Sequence, residues 1–383
     1  MDPVKQQYES HPYPPIPRLA LPGRREGKEL SYEHGTALRD GQASSSRGIR
    51  IAVAGCGTFE PVLVAQVHPQ AREILAVDLS ETSLRRARQR AVWARLTLRN
   101  LAPLTFVAAD LLAWAKEQSQ REPFDYVIAS NVLHHVPLPA EVFRSLAAIL
   151  RPGGLMRVVT YPKASRLWMR ETSRVLKNAG LTPESPQLVR RAKEVIARLP
   201  KDDPARTTFE THQEAGTAAG LVDAFLHAWE RPLAPMEWAR LCRACGLTLF
   251  SEGQSESSRS SFLDEIVPAA SGLDPWAKLE VLDCLLELCA NPILWLTKTG
   301  EPGGPDSDLS FSEEETRASV LCELRGNLVR AEGLLAVAGV CVRDAFYRFK
   351  REVGPRVSPF DQDRVLPGLA ITDYDFEELM NAR

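Results

Sequence analysis

The chain has 383 residues, 44% of them hydrophobic and 25% charged, with a formal net charge of −2. That size and balance suit one large globular domain with additions and argue against a general field for nucleic acid. The longest apolar run, residues 333–342, is about half the length a helix needs to cross a bilayer, so no membrane segment is expected.

Seven cysteines form no paired framework. An odd count without a leader of secretory type points to reduced thiols and a cytoplasmic protein. Cys242-x-x-Cys245 lies inside a helical pattern, MEWARLCRACGL, with no second pair at metal spacing. It reads as buried small residues, and no metal site is assigned.

From the N-terminus, residues 1–24 are proline-rich and predict an extended arm, and residues 31–48 (SYEHGTALRDGQASSSRG) predict a polar loop. Together residues 1–48 are expected to form an arm and lid. IRIAVAGCG (Ile49–Gly57) then runs an apolar strand into a glycine turn. Residues 51–54 are apolar, as a strand buried on both faces requires. Gly55 and Gly57 let the backbone turn sharply and lie flat against a ligand. Asp78 closes the next apolar strand, near the spacing of roughly 20 residues expected of a carboxylate that binds ribose hydroxyls. A dinucleotide site wants a third glycine where Glu60 stands, and a carboxylate there repels a pyrophosphate. A cofactor with a cationic sulfonium and no phosphate tolerates it.

The basic stretch Leu84–Arg99 reads as the solvent face of an amphipathic helix, with Leu84, Ala87, Ala91 and Ala94 facing inward. LTFVAAD (Leu104–Asp110) is a third strand ending in an aspartate that could meet the exocyclic amine of adenine. FDYVIASNVLHHV (Phe124–Val136) is a fourth strand opening into a helix. LRPGGLMRVVTY (Leu150–Tyr161) is a helix end, a Pro-Gly-Gly turn and a fifth strand. Strands are expected near 50–54, 73–78, 104–108, 125–129 and 155–160. Their alternation with helices predicts a parallel sheet covered on both faces, with all carboxyl ends on one rim. The glycine turn, Asp78, Asp110 and Asn131 then share that rim.

These segments, in this order, resemble the class I S-adenosylmethionine-dependent methyltransferases. The chain departs from that family's glycine motif at Val53 and Phe59, where an acidic residue and a third glycine are usual. QYESHPYPPIPRL (Gln7–Leu19) looks like the Tyr-Glu…Pro-Tyr-Pro leader of a bacterial methyltransferase group sometimes joined to tetratricopeptide repeats. Asp223–Leu247 and Asn291–Lys298 are similar to that group's later helix and closing strand, so the likeness covers about residues 1–300. The resemblance implies an α/β, Rossmann-like, seven-stranded sheet, mostly parallel with the last strand antiparallel, spanning residues 49–300. It implies S-adenosyl-L-methionine as cofactor, with Ala54, Gly55, Cys56, Gly57, Asp78, Leu79, Asp110, Leu111, Ser130 and Asn131 around it. Leu111 would serve through its backbone N–H to adenine.

Asp78 and Asp110 each have a rival duty as a helix cap, although Ser80 is the better cap for the helix after Asp78. Candidate bases are His134, His135 and Tyr13. Adjacent helical residues point about 100° apart, so at most one of the two histidines faces a pocket. Tyr8, Tyr13 and His227 are candidate acceptor contacts. Residues 164–240 are mostly helical and would sit over the rim as a substrate-shaping insertion. LTLF (Leu247–Phe250) and PILWLT (Pro292–Thr297) supply the last two strands. Residues 301–383 read as a linker and helical extension, starting at a Ser-x-x-Glu capping box at Ser312–Glu315. Its apolar Leu324, Leu328, Leu335, Val342 and Phe346 suggest a homodimer or partner contact.

The expected function is methyl transfer to a small-molecule or peptide acceptor, with no nucleic-acid partner. Strand four ends in ASNV rather than Asn-Pro-Pro-aromatic, which argues against methylation of an amino group on adenine or glutamine. Two other readings stay open: a methyltransferase-like binding module without activity, and an NAD-dependent oxidoreductase, which Glu60 disfavours.

Overall fold

The apolar segments read as strands pair into one seven-stranded sheet in the computed structural model, which describes residues 2–23, 26–98, 100–252, 260–285, 291–300, 317–342 and 345. The strands are β1 (Arg50–Ala54), β2 (Glu73–Asp78), β3 (Leu104–Ala108), β4 (Phe124–Ser130), β5 (Leu150–Val159), β6 (Leu247–Glu252) and β7 (Ile293–Lys298). Their spatial order is β3-β2-β1-β4-β5-β7-β6. The first five run parallel, and β7 is antiparallel to both β5 and β6. Strand order reverses between β1 and β4, the place where open α/β sheets leave a crevice at the carboxyl ends. Ala54 pairs with both Val77 and Ala129, so Gly55, Asp78 and Ser130 emerge level with one another.

Local chemistry sets the helices. Before the sheet come α1 (Pro3–Ser10) and α2 (Tyr32–Asp40); along it run α3 (Glu60–Val67), α4 (Glu81–Thr97), α5 (Leu111–Gln118) and α6 (Pro139–Ala148). Ser80 caps α4 through the Ser83 N–H, and Asp110 caps α5 through the Ala113 N–H. On α4, Leu84, Ala87, Ala91 and Ala94 are buried as expected, and Arg90 is buried with them. Its guanidinium donates to the carbonyls of Ala20, Pro17, Ile16 and Thr58, tying the proline-rich leader to the sheet.

Two expectations for the N-terminal segment need correction. Residues 3–10 are helical rather than extended, because Asp2 accepts the Val4 and Lys5 N–H groups and Pro3 begins the helix. Residues 32–40 are helical rather than a loop: Ser31 caps the His34 N–H, and Tyr32, Gly35 and Thr36 are buried against the sheet. The fifth strand also starts earlier, at Leu150, carrying the Pro-Gly-Gly stretch as an irregularity in its register with β4.

Beyond β5 the chain forms α7 (Leu167–Asn178), α8 (Leu188–Ile196), α9 (Pro204–Thr211), α10 (Ala218–Phe225) and α11 (Pro235–Ala244). The core of this cap joins Met169 and Leu176 to Leu188, Ile196, Phe209, Leu221 and Phe225. A second helical layer lies between β6 and β7, where the sequence raised no expectation: α12 (Ser260–Ile266) and α13 (Pro275–Cys284). The last helix, α14 (Arg317–Val337), buries Leu328, Ala331 and Leu335, together with Val342, in one cluster with Leu263, Leu279 and Leu282. The face expected to meet a partner is therefore covered by the chain itself at Leu328, Leu335 and Val342. The Ser312–Glu315 capping box and Phe346 lie outside the described residues, as does the side chain of Leu324. Cys242 and Cys245 are buried in the main core beside Leu241 and Trp238, as expected of small apolar side chains. Among the described residues, no helix is long and apolar enough to cross a membrane.

Candidate active site

Because β1 is buried along its whole length, the chain must turn abruptly at its end. Gly55 and Gly57 make that turn with φ of 65° and 57°, in the left-handed region that favours glycine. A Cβ on Gly55 would overlap the side chain of Val132, so the loop after β4 lies directly against the turn. Asp78 holds the turn from the side: Oδ2 accepts the Gly57 N–H at 2.8 Å and Oδ1 accepts the Ser80 N–H at 2.9 Å. Burial pushes this carboxyl above the usual range, with the backbone donors opposing the shift.

A cavity of about 520 Å³ opens here and runs from the sheet rim into the helical cap. At the rim it is lined by Gly55, Cys56, Gly57, Asp78, Leu79, Asp110, Leu111, Ser130 and Asn131, all anticipated, and by Glu60, which the sequence offered only as a repellent. Ala54, also anticipated, sits one residue before the turn, fully buried inside β1 and outside the lining. The Glu60 carboxyl accepts a hydrogen bond from Ser130 Oγ at 2.6 Å, and burial raises its pKa. Asn131 has a positive φ of 51°; its N–H donates to the Val159 carbonyl, and its side-chain oxygen accepts from Asn291.

The cap end is polar as well as aromatic. Tyr8 and Tyr13 come from the leader, Tyr161 and Arg166 from the segment after β5, and Glu214 and Asp223 from the cap. Tyr13 donates its hydroxyl to Glu214. Tyr8 donates to Asp223 at 3.0 Å and lies 3.0 Å from His227 Nε2. Arg166 stacks over the Tyr161 ring at 3.6 Å and pairs with Glu230 at 3.3 Å. The pKa of Asp223 is pushed up to about 8, by burial first and then by Glu214. Burial likewise raises Glu214.

The two adjacent histidines part company here. His135 lines the cavity; its Nδ1 donates to the Trp229 carbonyl, and its buried Nε2 has no hydrogen-bond partner among the described residues. Burial lowers its pKa to about 4, so the ring is neutral at pH 7. His134 does not line the cavity. It is stacked on Tyr161 at 3.6 Å and accepts the Tyr161 N–H through Nδ1, which corrects the expectation of a base role for it. His227 also stands behind the wall, stacked on His135 at 3.7 Å, and reaches the cavity through Tyr8.

His135, Asp223 and His227 place one potential ligand atom each within 4.8 Å of one another. Two features argue against a metal centre, and Tyr8 instead links Asp223 to His227 by hydrogen bonds. His227 Nδ1 accepts the Trp229 N–H, which leaves its proton on Nε2 and removes that lone pair from coordination. The face-to-face stacking of the two imidazoles also keeps their in-plane lone pairs from converging on one point. Asp223, Glu214, Tyr161 and Arg166 were not singled out in the sequence. Asp223 carried a signal, since a lone carboxylate within AAGLVDAFL is an anomaly in a buried apolar helix.

Comparison with known proteins bears on this arrangement. The family model described as a methyltransferase domain matches residues 46–204. An uncharacterized protein of a Synechococcus strain is 29% identical over 169 residues, covering 44% of this chain and 39% of its own length. A trans-aconitate 2-methyltransferase of Delftia acidovorans is 28% identical over 231 residues, 57% of this chain and 78% of that protein. This chain thus spans about two-fifths of the first relative and most of the second. PKMT2 of Rickettsia typhi, solved in complex with AdoHcy, has the same fold, with a TM-score of 0.53 at 13% identity over 89% of this chain and 75% of that one. Residues 46–204 are accordingly a methyltransferase domain, in a chain with the class I fold of the S-adenosylmethionine-dependent methyltransferases.

Proposed function

We propose that this protein transfers a methyl group from S-adenosyl-L-methionine to a small-molecule or peptide acceptor by in-line displacement. The observation that carries the reading is the continuity of the cavity, which joins the glycine turn and Asp78 to a separate polar chamber in the cap. Its volume lies in the range of ligand sites. The donor set fits the nucleoside. Each Asp78 oxygen accepts one backbone N–H and keeps a further lone pair, so the carboxylate can also receive a vicinal diol. Asp110 caps α5 with Oδ1 and keeps Oδ2 for an exocyclic amine. The Leu111 N–H, in the helix's first turn where intrahelical partners are lacking, suits a ring nitrogen. Glu60, Ser130 and Asn131 line the rim where the amino-acid end would lie.

When bound, this cofactor supplies an electrophilic methyl carbon on a positively charged sulfur, whose departure needs no proton. The chain's own task is to hold the acceptor in line, about 3 Å from that carbon, and to exclude water. Tyr8 and Tyr13 close the chamber from the leader, and α7, α9 and α10 close it from the cap. The role of base passes from the histidine pair to His135 and Asp223, the groups at the chamber with a free basic site. Tyr13 serves as wall and donor, because burial and Glu214 hold its phenol protonated. Glu60, half-buried in the first turn of α3 and lining the rim, disfavours a pyrophosphate there and so opposes the oxidoreductase reading. Titration calorimetry tests the proposal: binding heat is expected with S-adenosylhomocysteine and none with NADH. Silence with both would favour a binding module.

A further inference from the structure

Resting on the methyl-transfer reading, we propose that the acceptor is an amine, received as its ammonium form between Glu214 and Asp223 and against the rings of Tyr8 and Tyr13. The charge balance of the chamber motivates this. Among the described residues, the ionisable side chains of fixed sign at the cavity's cap end are Arg166, Glu214 and Asp223, and Asp2 on the leader adds an exposed carboxylate to the lining. Arg166 is already matched, with Nε and Nη2 both directed at Glu230. Among the described residues, the side-chain donors to Glu214 and Asp223 are the neutral hydroxyls of Tyr13 and Tyr8. The chamber therefore holds two carboxyl groups, Asp223 buried and Glu214 half-buried, in excess of its cations. Each opposes the other's ionisation, and a cation placed between them satisfies both.

The surroundings favour a cationic ligand over the alternatives. An acceptor carboxylate or phenolate would add a negative charge beside two carboxyl groups that already oppose each other's ionisation, in a chamber whose guanidinium is engaged by Glu230. Two tyrosine rings in the lining can offer an ammonium the kind of quadrupole attraction that Arg166 already finds over Tyr161. Position separates this pair from the cofactor's needs. Glu214 and Asp223 stand in the cap, on a short turn at Gln213–Gly216 and on α10, whereas Glu60, Asp78 and Asp110 stand on the sheet rim.

The chemistry balances without a further reactant. The ammonium gives one proton to the Asp223 carboxylate, and the freed nitrogen pair forms the new bond to the methyl carbon. The electron pair of the broken carbon–sulfur bond stays on sulfur, and the product leaves as a methylammonium. With its pKa near 8, Asp223 is a better-matched acceptor for that proton than His135, whose pKa is near 4.

The test uses the full chain loaded with S-adenosylhomocysteine. Benzylamine and putrescine are titrated against benzyl alcohol and benzoate. Both amines are expected to bind at least about ten-fold tighter than the uncharged and anionic probes. Glu214→Gln and Asp223→Asn should each erode that preference while S-adenosylhomocysteine affinity stays within about two-fold. With labelled cofactor, a panel of primary and secondary amines is then compared with phenols and carboxylic acids of matched size. Benzoate or benzyl alcohol binding as well as the amines, or label appearing on phenols or acids instead of amines, would overturn the proposal. The wild-type probe comparison keeps the test decisive should a variant fail to fold. Failure of S-adenosylhomocysteine itself to bind is a different outcome, and it removes the methyl-transfer reading first.

Discussion

Replacing Asp78 by asparagine separates a structural role from a binding role at one side chain. The carboxylate receives the Gly57 N–H at 2.8 Å and the Ser80 N–H at 2.9 Å. Asparagine keeps one acceptor oxygen, which the Ser80 N–H, two residues on, will claim as a local turn. The new NH2 then faces the Gly57 donor, and the diol loses its charged acceptor. Hydrogen bonds to charged groups are worth about 1.5–3 kcal/mol and neutral ones about 0.5–1.5 kcal/mol, so two weakened contacts cost about 2 kcal/mol of binding. That is roughly a thirty-fold loss of affinity for S-adenosylhomocysteine. Stability of the free protein should change far less. The raised pKa of Asp78 means that its ionised form is itself costly in the fold, and the amide relieves that cost while straining one donor. Calorimetry at 25 °C beside urea unfolding reads the two quantities independently. Affinity within two-fold of wild type, with an unchanged urea midpoint, would refute the reasoning.

Three other outcomes are expected. Gly55→Ala combines an unfavourable φ with overlap on Val132, so it should cost about 2 kcal/mol or more in urea unfolding; adding Val132→Ala should restore part of that, and no recovery would show that the clash is not the cause. Arg90→Ala leaves the buried carbonyl of Thr58, and the part-buried carbonyls of Ala20 and Pro17, without their donor, at a cost of about 1–3 kcal/mol, and should open the leader to limited proteolysis; an unchanged cleavage pattern would dissociate the arm from Arg90. The last concerns pH. Asp223, facing Glu214, Glu230, Arg166 and Tyr8, has a folded pKa raised to about 8 against about 3.9 unfolded. The folded chain therefore keeps a proton that the unfolded chain releases. The resulting stability is complete below about pH 4 and is lost as pH rises towards 8, by up to about 1.4 kcal/mol per unit. Asp223→Asn should flatten the melting temperature of the free protein across that window, and parallel profiles would remove Asp223 as the source.

The sheet was legible because its strands are apolar runs that end in a turn or a carboxylate, and burial on both faces forces that composition. The two N-terminal helices were not. Helix α1 buries only Gln7, so no apolar stripe announces it, and its start depends on the single cap Asp2. Helix α2 is anchored by Tyr32, Gly35 and Thr36, a small and mostly polar set that looks like loop until a sheet lies beneath it. The layer made by α12 and α13 buries Lys278, Glu280 and Asp283 beside its leucines, which hides the helical period. Polar residues there are held by tertiary partners: Lys278 by Asp264, and Asp283 by the backbone N–H groups of Ala164 and Ser165.

At the site, sequence reasoning set capping against ligand binding for Asp78 and Asp110, and the structure shows why the two need not compete. A carboxylate has two oxygens and about four acceptor directions. Asp110 commits one oxygen to the Ala113 N–H, while Asp78 takes one N–H on each oxygen and leaves the cap of α4 to Ser80. The capping bond fixes the rotamer, and the fixed rotamer is what aims the remaining lone pairs into the cavity. The histidine pair shows the opposite case. Which ring meets the cavity was decided by Tyr161 and Trp229, one stacking on His134 and the other holding His135 by its carbonyl, and both lie far along the chain. Spacing within a motif can say that one of two neighbours points inward; only the distant residues that pack against them can say which.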